Sequence, residues 1–318
     1  MTGAGPAGTG HGLQLPRCFL GLPAPAKLNR FLHVVGRRPD GYHEIQSAFV
    51  PLDLCDTLDV EQRADGRIVR EGDLTGPEDT DLAVRAARAL QAHAAGIAPG
   101  APLPGATVRV EKTIPVGAGL GGGSSDAATT LIALNRLWNL RLERPALAAL
   151  ARGLGADVPF FLGAGPAFVE GIGERCSPLA LPPAWYVVVF PQVHVSTAEI
   201  FADPKLTRNH KQTTIAGFSA ALRVRDPAHG ATELFGANDL EPVVRERFPA
   251  VDAALHLLGQ CTVPPGRARM SGSGSAVFCE LPGAAEAQAV LERVRARMPA
   301  GWSAWAPAGL PALPLAQW

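Results

Sequence analysis

The chain has 318 residues, 47% of them hydrophobic and 18% charged, which is long enough for two domains with their own cores. Lys and Arg number 29 against 29 Asp and Glu, so no global field draws it to nucleic acid or a membrane surface, and any anion it binds must be met by local geometry. The five scattered cysteines, Cys18, Cys55, Cys176, Cys261 and Cys279, form no CxxC pair and fit reduced thiols in the cytoplasm better than a disulfide frame or a zinc site.

No run reaches the length of a membrane span, and residues 1–16 lack the basic start and apolar core of a secretion signal, so they read as a disordered tail. PAKLNRFLHVVG, from Pro25, reads as a strand on which Lys27, Asn29 and Phe31 share one face. Lys27 and Asn29 are then roughly 7 Å apart and point the same way. Pro39-Asp40-Gly41 is a turn, with Tyr42 and His43 just beyond it. Glu44 to Val60 alternates as a strand pair, and the acids of its LDLCDTLDV segment read as ordinary turn and surface groups. An Ala-rich helix over Asp79 to Ala94, a Pro- and Gly-rich loop, and a β-type run from Thr107 to Val110 follow.

Lys112 then opens KTIPVGAGLGGGSSDAATTLIALNRLW. The spacing predicts a helix opening at Ser124 and Ser125, preferred N-cap residues, with Leu131, Leu134 and Trp138 on its buried face. A strand, a glycine loop and a helix N-terminus make an anion site: glycine admits positive φ, and the free N–H groups of the first turn favour a phosphate chain. Gly117, Gly119 and Gly122 satisfy GxGxxG as a string, but no parallel strand with a terminal acid follows, and no GxxxxGK[ST] occurs. Lys112 is either solvated or close to a phosphate.

Pro145 to Gly153 reads as a short helix leading to GADVPFF, where Asp157 is by itself a good helix N-cap. Asp126, in the first turn of the phosphate-binding helix, is explained by the helix dipole. The loose stretch 163–183 places a domain boundary that divides the chain into 17–178 and 179–318. Beyond it come an apolar strand, Trp185 to Phe190, a helix opening at Ser196 and Thr197, and a polar irregular stretch over 206–230. Asn238 reads as a capping residue and Pro249 starts a helix through Leu258. The Ser271-Gly272-Ser273-Gly274 turn feeds a strand over Ala276 to Leu281, and an amphipathic helix over Ala284 to Met298 and a last strand around Trp302 to Trp305 finish the fold.

PVGAGLGGGSSDAATTL resembles the phosphate loop of the GHMP kinases, and SGSGSAVFCEL resembles their third motif. The PAKLNRFL opening and the Gly41-Tyr42-His43 and GADVPFF segments are most similar to the branch that acts on a cytidine diphosphate-linked methylerythritol. The resemblance implies an α+β fold: an N-terminal ATP-binding domain with a left-handed βαβ unit and a C-terminal ferredoxin-like substrate domain. It implies ATP-dependent phosphorylation of the substrate 2-hydroxyl, a step of non-mevalonate isoprenoid synthesis. Pro115, Val116, Gly117, Ala118, Gly119, Leu120, Gly121, Gly122, Gly123, Ser124 and Ser125 would hold the ATP phosphates, Asp157 would take the hydroxyl proton, and Lys27 would keep that carboxylate ionised. Asn29 would contact the phosphate-accepting end of the substrate, Tyr42 and Phe201 would sandwich the cytosine, His43 would hydrogen-bond it, and Thr197 would line the substrate site. Mg2+ is expected with ATP, with no protein ligand identifiable, and the expected state is a monomer or homodimer without nucleic-acid or membrane partners. A GHMP kinase for homoserine or mevalonate would have no use for Tyr42, His43 and Phe201 as a base-recognition set, and a non-catalytic nucleotide-binding regulator would have none for Lys27 with Asp157.

Overall fold

The computed structural model describes residues 17–73, 76–223, 235–262 and 268–318. The expected N-terminal tail lies outside the described residues, as does 224–230 of the irregular stretch.

Two long antiparallel strands, β1 (Cys18–Arg37) and β2 (His43–Arg63), form the axis of the first sheet. They are joined by the predicted turn, in which Gly41 takes φ +90° and Asp40 Oδ1 accepts the Tyr42 N–H at 3.0 Å. The far half of β2 pairs with β4 (Gly105–Glu111) and its near half with β5 (Ala167–Gly171); β3 (Ile68–Gly72) and β6 (Arg175–Pro178) close the two edges. On β4 the alternation is plain: Ala106, Val108 and Val110 are buried, whereas Arg109 and Glu111 are exposed. β1 instead is buried without interruption from Ala24 to Val34, because a helix layer lies on one side of it and the second sheet on the other.

That helix layer is α1 (Leu82–Ile97), α2 (Gly122–Leu137) and α3 (Arg144–Arg152), whose apolar faces join the sheet in one core. The Asp81 carboxylate caps α1 by accepting from the N–H groups of Ala83 and Val84. α2 opens two residues earlier than the serines predict: Gly121, at φ +72°, is its N-cap, no side chain caps it, and Ser124 and Ser125 lie inside the first turn. A side-chain cap would have consumed N–H groups that here stay free toward the loop.

The second sheet has the order β10-β7-β9-β8, built from β7 (Trp185–Phe190), β8 (Arg269–Met270), β9 (Val277–Leu281) and β10 (Ser303–Trp305). Helices α7 (Glu241–Arg247) and α8 (Pro249–Cys261) connect β7 to β8, and α9 (Ala284–Arg295) connects β9 to β10, which is the ferredoxin-like split βαβ arrangement. Two short helices, α4 (Val158–Phe161) and α5 (Thr197–Ala202), stand at the junction of the sheets, and the Ser196 hydroxyl caps α5.

The stretch over 206–230 is not wholly irregular. Ile215–Arg223 forms helix α6, whose Phe218 is fully buried with its ring centroid 5.3 Å from Phe31 and 5.1 Å from Phe235. Ile215, Phe218 and Leu222 fall at i, i+3 and i+7 and pack into one cluster with Phe31 and Phe168, a helical period that the polar stretch before it obscures. Between the two sheets lies an apolar cluster in which Leu28, Leu52, Ala118 and Leu120 meet Tyr186, Val188 and Phe278. The glycine loop sits on this seam.

Candidate active site

The loop Pro115 to Ser125 has two sides. Ala118 and Leu120 are each 1% exposed and anchor it in the seam; the Ala118 carbonyl accepts from Ala276 N–H at 3.0 Å and the Leu120 carbonyl from Lys27 N–H at 2.8 Å. Gly117, Gly119 and Gly121 take φ of +68°, +75° and +72°. A Cβ on Gly119 would lie 2.3 Å from the Ser271 carbonyl oxygen, and one on Gly121 would lie 3.0 Å from Lys27 Cγ. These glycines are therefore required by the approach of the protein's own chain as well as by backbone conformation. The other side of the loop lines a cavity of about 470 Å³ that continues past Arg70, Pro77, Asp81 and Leu82, a size suited to a small-molecule ligand.

At the rim of this cavity the structure corrects two readings of acids. Asp56 is no surface group: it is fully buried, and its Oδ1 accepts the N–H groups of Thr113 at 2.7 Å and Ile114 at 2.8 Å. Asp126 lies beyond the first turn of α2, which starts at Gly122, so the helix dipole does not account for it; Lys112 Nζ holds it, at 2.7 Å from its Oδ2 and 2.5 Å from Asp56 Oδ2. Lys112 is thus not solvated: two carboxylates hold it in the wall of the cavity. Burial, and then the Asp56 charge, push the Asp126 carboxyl up to about 7 against the opposing pull of Lys112.

Across the loop lies the second pair. Lys27 Nζ is 3.2 Å from Asp157 Oδ2 and 2.6 Å from Asn29 Oδ1, and it stands 4.6 Å over the Phe49 ring centroid. Asp157 occupies the N-cap position of α4 but makes no side-chain cap hydrogen bond, so its carboxylate is turned to Lys27. Asn29 is oriented in turn: its Nδ2 donates to Ser47 Oγ at 3.0 Å, and its N–H donates to Ser271 Oγ at 3.2 Å, which itself donates to the Gly119 carbonyl at 3.1 Å. Lys27, Asn29, Asp157, Thr197 and Phe201 line a cavity of about 410 Å³ that shares Gly117, Gly119 and Gly121 with the first.

The predicted base-recognition set is brought together in part. The His43 ring stacks on Phe201 with centroids 5.1 Å apart. Tyr42 is 60% exposed at the hairpin tip and does not line the cavity. A residue that the sequence reading misses stands behind this pair: Arg208 Nε donates to His43 Nε2 at 3.0 Å, and its Nη2 donates to the carbonyls of Phe201 and Asp203 at 3.1 and 2.6 Å. The imidazole therefore accepts at Nε2 and keeps its proton at Nδ1; burial and then the Arg208 charge lower its pKa. Asn238 does more than cap. Its Nδ2 donates to the carbonyls of Met270 and Gly272, both at 2.8 Å, and so fixes the Ser271 to Gly274 turn against the glycine loop. The only signal of that role in the sequence is the turn itself.

Residues 81–165 match the GHMP kinases N terminal domain, and residues 220–300 match the GHMP kinases C terminal domain. The chain is 54% identical over 271 residues to the 4-diphosphocytidyl-2-C-methyl-D-erythritol kinase of Thiobacillus denitrificans, covering 85% of this chain and 89% of that one. It is 50% identical over 295 residues to the enzyme of the same name from Ralstonia nicotianae, covering 92% and 95%. The chain belongs to the GHMP kinases and, within them, to the 4-diphosphocytidyl-2-C-methyl-D-erythritol kinase family. A crystal structure of 4-(cytidine 5'-diphospho)-2C-methyl-D-erythritol kinase superposes with a TM-score of 0.70 at 37% identity, over 91% of this chain and 99% of the other. The homoserine kinase of Cytophaga hutchinsonii superposes nearly as well, with a TM-score of 0.69 over 95% of this chain and 98% of that one, but at 16% identity. Backbone similarity therefore marks the GHMP fold, and sequence marks the family within it. Membership makes the protein an ATP-dependent small-molecule kinase.

The packing of the loop predicts opposite outcomes for two glycines of one motif. Gly119→Ala, which drives a methyl against the Ser271 carbonyl at positive φ, costs roughly 2 to 4 kcal/mol of stability and at least about tenfold in ATP affinity. Gly123→Ala, whose Cβ meets nothing closer than Leu82 at 3.7 Å, leaves the melting temperature at or above that of the wild type. Thermal unfolding of both variants and calorimetric ATP titration of the first check these outcomes.

Proposed function

We propose that this kinase phosphorylates the 2-hydroxyl of 4-diphosphocytidyl-2-C-methyl-D-erythritol, with the glycine-loop cavity taking ATP and the adjoining cavity the acceptor. The observation that carries the assignment of sites is the Lys27–Asp157 pair at 3.2 Å, which lines the second cavity with Lys27 packed on Gly121, a glycine that both cavities share. The free N–H groups of the Pro115 to Ser125 loop hold the triphosphate, and the nucleoside end extends toward Arg70, Pro77 and Leu82. Phe201 supplies an aromatic face for the cytosine, the His43 ring stacked on it supplies a directional N–H, and Thr197 and Asn29 line the path to the reacting alcohol.

As the acceptor oxygen attacks the terminal phosphorus, its proton passes to Asp157, the new O–P bond forms, and ADP leaves. Lys27 holds the Asp157 carboxylate in place at 3.2 Å before the transfer and faces the negative charge of the phosphoryl group during it. Mg2+ supplies charge neutralisation on the phosphates when bound. Among the described residues no group of three His, Cys, Asp or Glu side chains could cage it, but Asp126 lines the ATP cavity with its Oδ1 unpartnered. That fits an ion held chiefly by phosphate and water, with Asp126 as its protein contact. Five unpaired cysteines suit a reducing, cytoplasmic setting.

Offering ATP with the cytidyl substrate, mevalonate and homoserine in parallel tests the assignment: mass spectrometry should find a phosphorylated product from the first alone, and a product from mevalonate or homoserine instead would replace it. Asp157→Asn should lower kcat by about 10² to 10⁴, roughly 3 to 5 kcal/mol of barrier, while ATP affinity stays within a few-fold. A near-normal rate in the Asp157→Asn variant would remove Asp157 from the role of base.

A further inference from the structure

One side chain in the acceptor cavity has no part in the scheme above. His194 lies between β7 and α5, is exposed, and lines that cavity with Asp157, Thr197 and Phe201. Its ring rests on the crest of the glycine loop: a Cβ built on Gly117 would come within 2.3 Å of Nδ1 and 2.9 Å of Cε1. Gly117 borders both cavities, so the imidazole stands at their common wall on the acceptor side. Among the described residues neither ring nitrogen has a hydrogen-bond partner.

The chemistry of the cavity gives this position a use. One end offers the Phe201 ring stacked on His43, and the other offers Lys27 with Asp157. A substrate that joins a base to an alcohol through a diphosphate must lay two charged phosphates between those ends. The hydroxyls of Thr197 and Ser273 stand in this cavity but bond each other at 2.6 Å. Among its described lining residues, only Lys27, Asn29 and His194 carry side-chain N–H donors, and Lys27 is committed to Asp157 and Asn29 to Ser47.

We propose that His194 is a further substrate-binding residue whose imidazole N–H donates to the diphosphate of the acceptor while the ring stays packed on Gly117. One residue then both recognises the acceptor's phosphates and spaces them from the loop that holds those of ATP. The inference rests on the cytidyl-substrate reading.

Calorimetric titration of CDP and of cytidine into the wild type, His194→Ala and His194→Gln separates the two claims. The expected result is that His194→Ala weakens CDP about tenfold and leaves cytidine unchanged, while His194→Gln, which keeps an N–H donor, recovers most of the CDP affinity. In turnover, His194→Ala should raise KM for the cytidyl substrate and leave kcat and KM for ATP in place. Equal weakening of CDP and cytidine, no change in either, or a rise confined to KM for ATP would each overturn the proposal and make His194 a loop spacer. A wild-type enzyme that binds neither CDP nor cytidine would instead remove the cytidyl reading, and this proposal with it.

Discussion

A buried ammonium sets the geometry of this enzyme. Lys27 is 3% exposed in the middle of β1, and a cation in that position costs several kcal/mol unless it is paired and hydrogen-bonded. Its partners come from different places: Asn29 on the same strand, Asp157 at the head of α4, and the Phe49 ring on β2. Its own N–H is bonded to the Leu120 carbonyl of the glycine loop. Satisfying one charge thus brings strand, loop and helix terminus to a common point. The Asp157 carboxylate is brought to this point by the requirement to neutralise the lysine.

The second domain completes the site rather than standing beside it. Ser271 bridges the Asn29 N–H and the Gly119 carbonyl, Ala276 N–H bonds the Ala118 carbonyl, and Asn238 holds the turn that carries them. One residue along β1 from Asn29, Arg30 points the other way and pairs with Glu280 on β9 at 2.5 Å, with both side chains almost fully buried. The chain after β10 returns to the first domain, where Leu310 N–H bonds the Pro51 carbonyl and Leu313 and Leu315 enter the helix-layer core. A glycine loop whose Ala118 and Gly119 carbonyls are satisfied by the other domain holds its outward N–H groups in place before any ligand arrives, and such preorganisation is what electrostatic catalysis requires.

Much of this is legible from periodicity and local chemistry. The strand from Trp185 to Phe190 agrees residue for residue, and the face of α2 carrying Leu131, Leu134 and Trp138 is buried as its spacing requires. What cannot be read depends on pairing at a distance. Asp56 looks like a turn acid until Lys112, 56 residues on, is folded against it. Arg208 sits in a stretch with no pattern, and its meaning comes only from His43, 165 residues away. Serine's capping preference outweighs glycine's in sequence and so places the start of α2 too late, whereas the loop needs positive φ at Gly121 and an uncapped first turn. In sequence the glycines make room for a ligand; in the structure several of them make room for the protein.

The claim that Lys27 and Asp157 act as one unit is tested most directly by a double-mutant cycle on kcat, using Lys27→Met, Asp157→Asn and the double variant under single-turnover conditions. The account predicts that the double variant is no slower than the slower single variant, because removing either partner already dismantles the pair. Rate losses that multiply would show two independent contributions and contradict it.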